Sequence, residues 1–250
     1  MSQVAQKLYQ QVAEQITEAI RQGRYKPGAR LPSERDLAEW LSVSRPTVRE
    51  AMIALEIRGV VETRHGSGVW VLQAPEQTEV PMELDIGAFE LTEARRMFEG
   101  EACALAAVNM TEEDAAELEA IIAKMVQENR GDVAGEHADR AFHVKIAAIT
   151  RNAAITLMVE TLWDWRYKSP LCATMLARAR KAGSRPAIDD HHIILAALRG
   201  RDAAGARAAM RAHLDRVIED LLQATEMEAI DRARMEVQAR RADVRRRSAI

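Results

Sequence analysis

Cysteine and aromatic side chains are both scarce in this 250-residue chain. The two cysteines, Cys103 and Cys172, lie far apart, and neither belongs to a CxxC or other ligand-spaced group. That excludes a disulfide framework and a thiolate metal site, and both are expected as reduced core residues. Aromatics make up 4% of the sequence, against 11 methionines and many Ala-rich stretches, a balance that argues against a large β-sandwich or barrel and for helices. With 12 glycines and 7 prolines the chain is neither low-complexity nor collagen-like. It has no apolar run of about 18 residues, and MSQVAQKLYQQ lacks a basic segment followed by an apolar one, so neither a membrane span nor a signal peptide is expected. The expected compartment is the cytoplasm.

What is present is the composition of a folded globular protein, 48% hydrophobic and 29% charged, long enough for one large or two ordinary domains with a true core. The net charge of −3 is unevenly spread: residues 1 to 73 are slightly basic, 74 to 230 clearly acidic, and 231 to 250 basic again. A basic head on an acidic body is the asymmetry expected when only the head meets nucleic acid.

Val4, Leu8, Val12, Ile16 and Ile20 recur every fourth residue, which predicts an amphipathic helix ending near Gly23. Pro27, Gly28 and Pro32 interrupt it. SERDLAEWL then reads as a short helix capped by Ser33, with Leu37, Ala38 and Leu41 inward. RPTVREAMIALEIRG reads as a third, capped by Ser44, with Pro46 in its first turn, Val48, Met52 and Leu55 inward, and Gly59 as its stop. Two short helices across the tight LSVS connection make a helix-turn-helix. VVETR and VWVL around a turn at His65, Gly66, Ser67 and Gly68 add a β-hairpin, and the sum is a winged helix over residues 1 to 73.

Residues 25 to 71, from YKPGARLPSERDLAEW to RHGSGVWV, resemble the DNA-binding head of the GntR family of transcriptional regulators. With the apolar face of the third helix turned inward, Arg45, Thr47 and Arg49 are left beside the Ser44 cap, where a recognition helix meets base edges. Arg can grip guanine O6 and N7, and Thr can touch phosphate or a thymine methyl. The alternative for these arginines is ion pairing with Glu50 or Glu34. Arg35 fits a phosphate contact that sets register, and the resemblance implies that it touches DNA. Gly66 permits close backbone approach, and His65 beside it could enter the minor groove.

Residues 74 to 86, acidic and carrying Pro75 and Pro81, read as a linker. From 87 to 230 the pattern predicts helices at 88–108, 112–129, 133–150, 153–168, 170–182, 186–199 and 202–230, an all-helical bundle of six or seven helices, so the chain is expected to be mainly α. Residues 231 to 250 form an Arg-rich tail with a poor apolar stripe, expected as frayed helix or disorder; a nonspecific DNA contact is the alternative.

Within the bundle Asp139 and His143 are four apart, hence one turn apart on one helix face. Of the adjacent histidines, His191 shares a face with Ile194, Leu195 and Leu198 and is the inward one, while His192 sits about 100° round the helix. His213 lies beside the apolar side of its own helix, near Met210, Leu214 and Val217. Three imidazoles and a carboxylate suit a divalent transition metal, zinc first, with nickel or manganese as alternatives. Structural hydrogen bonding is the other use of such histidines. The body, residues 88 to 225, resembles the FadR-type C-terminal (FCD) domain of GntR regulators, and the resemblance implies that Asp139, His143, His191 and His213 are metal ligands.

It also implies an effector arginine early in the domain, Arg95 within ARRMFE, gripping a ligand carboxylate; a salt bridge to Glu99 is the alternative, and Arg96 a substitute. Asn152 matches a family position near the cavity, or caps the helix that follows it. LWDWRYKSP and LYQQVAEQI resemble the hexuronate-responsive branch of the family, which controls use of glucuronate or galacturonate. Trp163, Trp165 and Arg166 would then flank and hold a sugar acid, or the tryptophans pack the core.

The resulting expectation is a homodimeric repressor without enzymatic activity, reading a palindromic double-stranded operator and released by a small carboxylic acid. A metalloenzyme fused to a DNA-binding head is opposed by the lack of HExxH or a placed general base. An architectural protein with an effector-blind body is a third reading.

Overall fold

The computed structural model describes residues 7–64, 68–72, 86–131 and 136–248, with the side chains of its last helix as far as Ala224. The chain divides into two units, Met1–Asp85 together with Leu222–Ile250, and Ile86–Leu221.

The N-terminal head contains α1 (Leu8–Arg21), α2 (Glu34–Leu41), α3 (Arg45–Ile57), β1 (Val61–Arg64) and β2 (Gly68–Val71). Val12, Ile16 and Ile20 are buried as the spacing predicts, but Leu8 is 53% exposed and Tyr9 takes its place inside. A strict row of every fourth residue drifts about 40° round the helix at each step, so the far end of the row leaves the buried face. Helix α2 starts with a reciprocal cap: the Ser33 hydroxyl accepts from the Asp36 amide at 3.2 Å, and the Asp36 carboxylate accepts from the Ser33 amide at 3.3 Å. Helix α3 is capped by Ser44, whose hydroxyl accepts from the Thr47 amide. It packs against α1, α2 and β1, and Val48, Ala51, Met52, Ile53, Ala54 and Leu55 are all buried.

Strands β1 and β2 pair antiparallel with Val61 opposite Val71 and Arg64 opposite Gly68. Gly68 has φ +89°, a left-handed conformation that favours glycine, and the end of the Arg30 side chain packs over it. His65 and Gly66 of the expected turn lie outside the described residues, as does the expected linker up to residue 85.

The body is built from α4 (Ala88–Asn109), α5 (Glu112–Arg130), α6 (His137–Ile149), α7 (Ala153–Lys168), α8 (Pro170–Lys181), α9 (Ile188–Arg199) and, as far as Leu221, α10 (Ala203–Ser248). Its core is shared among α4, α5, α6, α9 and α10 and includes Leu118, Phe142, Ile146, Ile194, Met210 and Leu214. Both cysteines are free and buried, and burial together with the neighbouring Glu99 carboxylate pushes the Cys103 thiol up to about 12. The last helix corrects the expected frayed tail: its backbone stays helical to Ser248. No Gly or Pro follows Gly205, and the segment is rich in Ala and Arg, residues of high helix propensity.

A buried charge ties α5 to α6 and to the turn that follows it. Asp114 accepts from Thr111 at the start of α5, from Lys145 of α6 at 2.9 Å, and from Arg151 beyond α6 at 2.8 Å. Burial disfavours its charge, but the bonds from Lys145 and Thr111 outweigh that and hold the carboxyl below its ordinary 3.8. A depressed folded value stabilises the fold fully above 3.8 and loses that contribution as pH falls through the folded value. Asp114→Asn is expected to cost about 1.5 to 3 kcal/mol in urea denaturation near neutral pH. The gap between variant and parent should narrow in acid; a gap independent of pH would refute the assignment.

Candidate functional site

Helices α6, α9 and α10 bring Asp139, His143, His191 and His213 together, all buried, with one ligand atom from each lying within 4.8 Å of the others. Ligand atoms on a tetrahedral zinc lie roughly 3.4 Å apart, so a contraction of about 1.5 Å would close the set. Outer contacts sort the ring nitrogens. The Nδ1 of His191 lies 2.7 Å from the Ala187 carbonyl, and its Nε2 lies 2.9 Å from the Asp139 carboxylate. His213 turns Nδ1 to Asp190 at 3.4 Å, leaving its Nε2 for the cluster. His143 turns Nδ1 against the Glu99 carboxylate and Nε2 toward Asp139 at 3.5 Å. Neither His143 nitrogen has a directed hydrogen bond, although the ring is buried. Each histidine thus has its outer nitrogen against a protein oxygen, the arrangement that fixes ring orientation in metal centres. The donor set fits a divalent metal such as zinc.

The electrostatics agree with that reading. Burial opposes ionisation of Asp139, yet the adjacent His143 and His191 imidazoles, the latter hydrogen-bonded to it, hold it well below the usual carboxylate range. Burial pushes His213 down to about 4, helped by the neighbouring His143 and His191, so it is neutral with a free lone pair at neutral pH. Burial also works against Glu99, but Arg95 and His143 beside it hold its carboxyl at about 2. His192, about 100° round α9 from His191, is exposed.

Asp139 and His213 line a partly open cleft together with Glu136, Arg166, Arg180 and Arg216. Burial disfavours the charge of Arg166, but the carboxylates of Glu136 and Asp139 more than restore it. The other expected effector residues fall differently. Arg95 is buried on α4, does not line the cleft, and donates from Nε to Glu99 at 2.6 Å, so the salt bridge across one turn is what forms. Trp163 is sealed in the core with the Arg95 and Arg166 guanidiniums over its ring at 4.1 and 4.4 Å. No face of it is left for a sugar. Trp165 is half-buried and does not line the cleft. Asn152 is exposed and caps α7, accepting from the amides of Ala154 and Ile155. Glu99, Asp190 and Glu136 were not predicted as site residues. Only Glu99, four residues after Arg95, left a spacing signal.

In the head, Arg45 and Arg35 are exposed, the latter with only long contacts to Asp36 at 3.8 Å and Glu39 at 3.9 Å. Thr47 is half-buried and its hydroxyl lies 2.7 Å from that of Ser44. Arg49 corrects the expectation of exposure. It is buried and holds Glu34 of α2 through two nitrogens, with Nε at 3.2 Å, because α3 is enclosed on two sides rather than one.

Residues 8–71 match the family described as bacterial regulatory proteins, gntR family, and residues 90–216 match the FCD domain. The Uxu operon transcriptional regulator of Escherichia coli K12 is 36% identical over 234 residues, covering 90% of this chain and 91% of its own. The Uxu operon regulator of Haemophilus influenzae is 33% identical over 237 residues, covering 91% of this chain and 87% of its own. The Exu regulon transcriptional regulator of Escherichia coli K12 is 36% identical over 216 residues, covering 84% and 82%.

Proposed function

This chain belongs to the gntR family of bacterial regulatory proteins and carries an FCD domain, a DNA-binding transcriptional regulator and not an enzyme, and from that premise we propose that it is a repressor released by a hexuronate. The effector is glucuronate, galacturonate or one of their keto-acid products. The protein works as a homodimer on a palindromic operator, in the cytoplasm where the chromosome lies. Support for the effector comes from the relatives named for the Uxu operon and Exu regulon, and from the LWDWRYKSP segment. The observation that carries the reading is that Asp139 and His213, two of four convergent metal-type ligands, share a cleft with Arg166.

A divalent metal, zinc before nickel or manganese, held by Asp139, His143, His191 and His213 would supply a Lewis-acidic anchor for effector oxygens. The protein's own groups do the rest. Arg166 faces the cleft and offers a planar fork to a carboxylate. Arg95 holds Glu99, which faces His143, so it acts on the site through the cluster rather than on the effector. Trp163 braces both arginines from within the core. In the head, Arg45 reads bases, with Ser44 and Thr47 at the same helix end, and Arg35 meets phosphate.

Effector binding changes operator affinity only by its differential affinity for the two states of the protein. A coupling of about 1 to 3 kcal/mol shifts operator affinity by about 5- to 150-fold. Operator binding measured against glucuronate, galacturonate, their keto acids and unrelated organic acids should respond to the first group alone. Response to an unrelated acid and to no hexuronate would overturn the effector while leaving the regulator.

A further inference from the structure

The cleft is not an open arginine pocket: an internal carboxylate already sits in it. Glu136, the residue before α6, places one carboxylate oxygen against the Arg166 Nη2 and the other 3.3 Å from the Arg180 Nη1. The three side chains grade from mouth to floor, with Arg180 26% exposed, Glu136 12% and Arg166 7%. Glu136 holds a left-handed backbone, φ 45° and ψ 38°, as do Ser42, Arg151 and Arg201 at other helix junctions.

The match between Glu136 and Arg166 is incomplete. A carboxylate engages a guanidinium best through two parallel bonds on one edge. Glu136 divides its oxygens between two arginines, and the Arg166 Nε is left buried with no hydrogen-bond partner. Asp139 favours the Arg166 charge from nearby, but Glu136 is the carboxylate hydrogen-bonded to it, and a buried guanidinium without a hydrogen-bonded anion is strongly disfavoured. Nothing in that requirement says that the anion must belong to the protein.

We propose that Glu136 is a built-in stand-in ligand, occupying the Arg166 and Arg180 pair until the carboxylate of a small organic acid takes its place. Rejection of neutral sugars follows, because a ligand without a carboxylate cannot compensate Arg166 for the loss of Glu136. Competition with Glu136 also weakens the binding of every acid, so the position sets the effector concentration at which the site fills. This rests on the reading of the cleft as the effector site, but its test does not need the effector.

Acetate is the probe. In Glu136→Ala the vacated position should accept it, raising the melting temperature in a saturable way, while chloride at matched ionic strength does not and the unmodified protein responds to neither. Glu136→Gln, which keeps the side-chain volume, serves if the alanine variant fails to fold and should show the same selective response. Equal acetate responses in variant and parent, or none in any of them, would overturn the proposal. Galacturonate on the same proteins separates the two readings. Where galacturonate binds, affinity at least about fivefold tighter for Glu136→Gln than for the parent supports the stand-in role, and equal or weaker affinity contradicts it. Acetate rescue with no hexuronate binding anywhere would leave Glu136 as the stand-in and remove the hexuronate.

Discussion

Removing divalent metal with a chelator is expected to lower the melting temperature of the body by roughly 8 to 16 °C, and readdition of zinc to restore it. The magnitude follows from linkage: a ligand present at about a thousand times its dissociation constant adds about 4.1 kcal/mol, and each kcal/mol moves a unit of this size by about 2 to 4 °C. His143→Ala and His213→Ala should each abolish metal uptake in elemental analysis, because both imidazoles are buried with their outer nitrogens against Glu99 and Asp190. His192→Ala should leave it intact, since that ring is exposed. Glu99→Gln is expected to weaken metal affinity by about 10- to 100-fold without abolishing it, the loss usual for an outer partner. Occupancy should also fall in mild acid. His143 is raised above its ordinary value because Glu99 and Asp139 outweigh its burial, so protons compete with metal for it as pH drops. Protein that carries no metal when purified without chelator, takes up none on reloading, and melts alike with and without chelator would refute the centre.

The parts of this site that were legible in the sequence are those a helix fixes locally. Asp139 and His143 share a face by arithmetic, and the choice of His191 over His192 followed from its apolar neighbours at the same spacing. Convergence of α6, α9 and α10 is a tertiary fact that spacing does not contain; it came from resemblance to the FCD domain. The outer partners were harder still, because Glu136 and Asp190 are two among 38 acidic residues, and nothing local marks a carboxylate that will be buried. Arg49 was misread for a related reason. Its helix was assigned one buried face, whereas α1 and α2 both cover it, and the second face consumes the arginine. Arg95 and Asn152 show the opposite lesson, since the local alternatives, a salt bridge one turn on and a helix cap, are what the chain adopts. The winged head was readable almost throughout because its caps, turns and apolar spacing all lie within short stretches of chain.

Arg45→Ala is expected to weaken binding to the cognate operator by about 1 to 3 kcal/mol, about 5- to 150-fold, and to relax preference at one base pair. Arg45 is the first residue of α3, its side chain is exposed, and no described residue pairs with it, so its fork is free to meet a guanine edge. Arg35→Ala should instead weaken cognate and random DNA alike and flatten the salt dependence, as loss of a phosphate contact does. Arg49→Ala provides the contrast that makes the assignment testable. It removes the buried guanidinium that holds Glu34, 11% exposed, and so should destabilise the head by about 1.5 to 3 kcal/mol. Its DNA defect would then come with a fall in melting temperature, whereas Arg45→Ala should lose the operator with its stability unchanged. A binding loss for Arg45→Ala that is equal on operator and random sequence would assign it to phosphate rather than to bases. Unchanged stability in Arg49→Ala combined with a loss confined to the operator would return Arg49 to the reading face and make the Glu34 pair the resting position of a side chain that swings out to DNA.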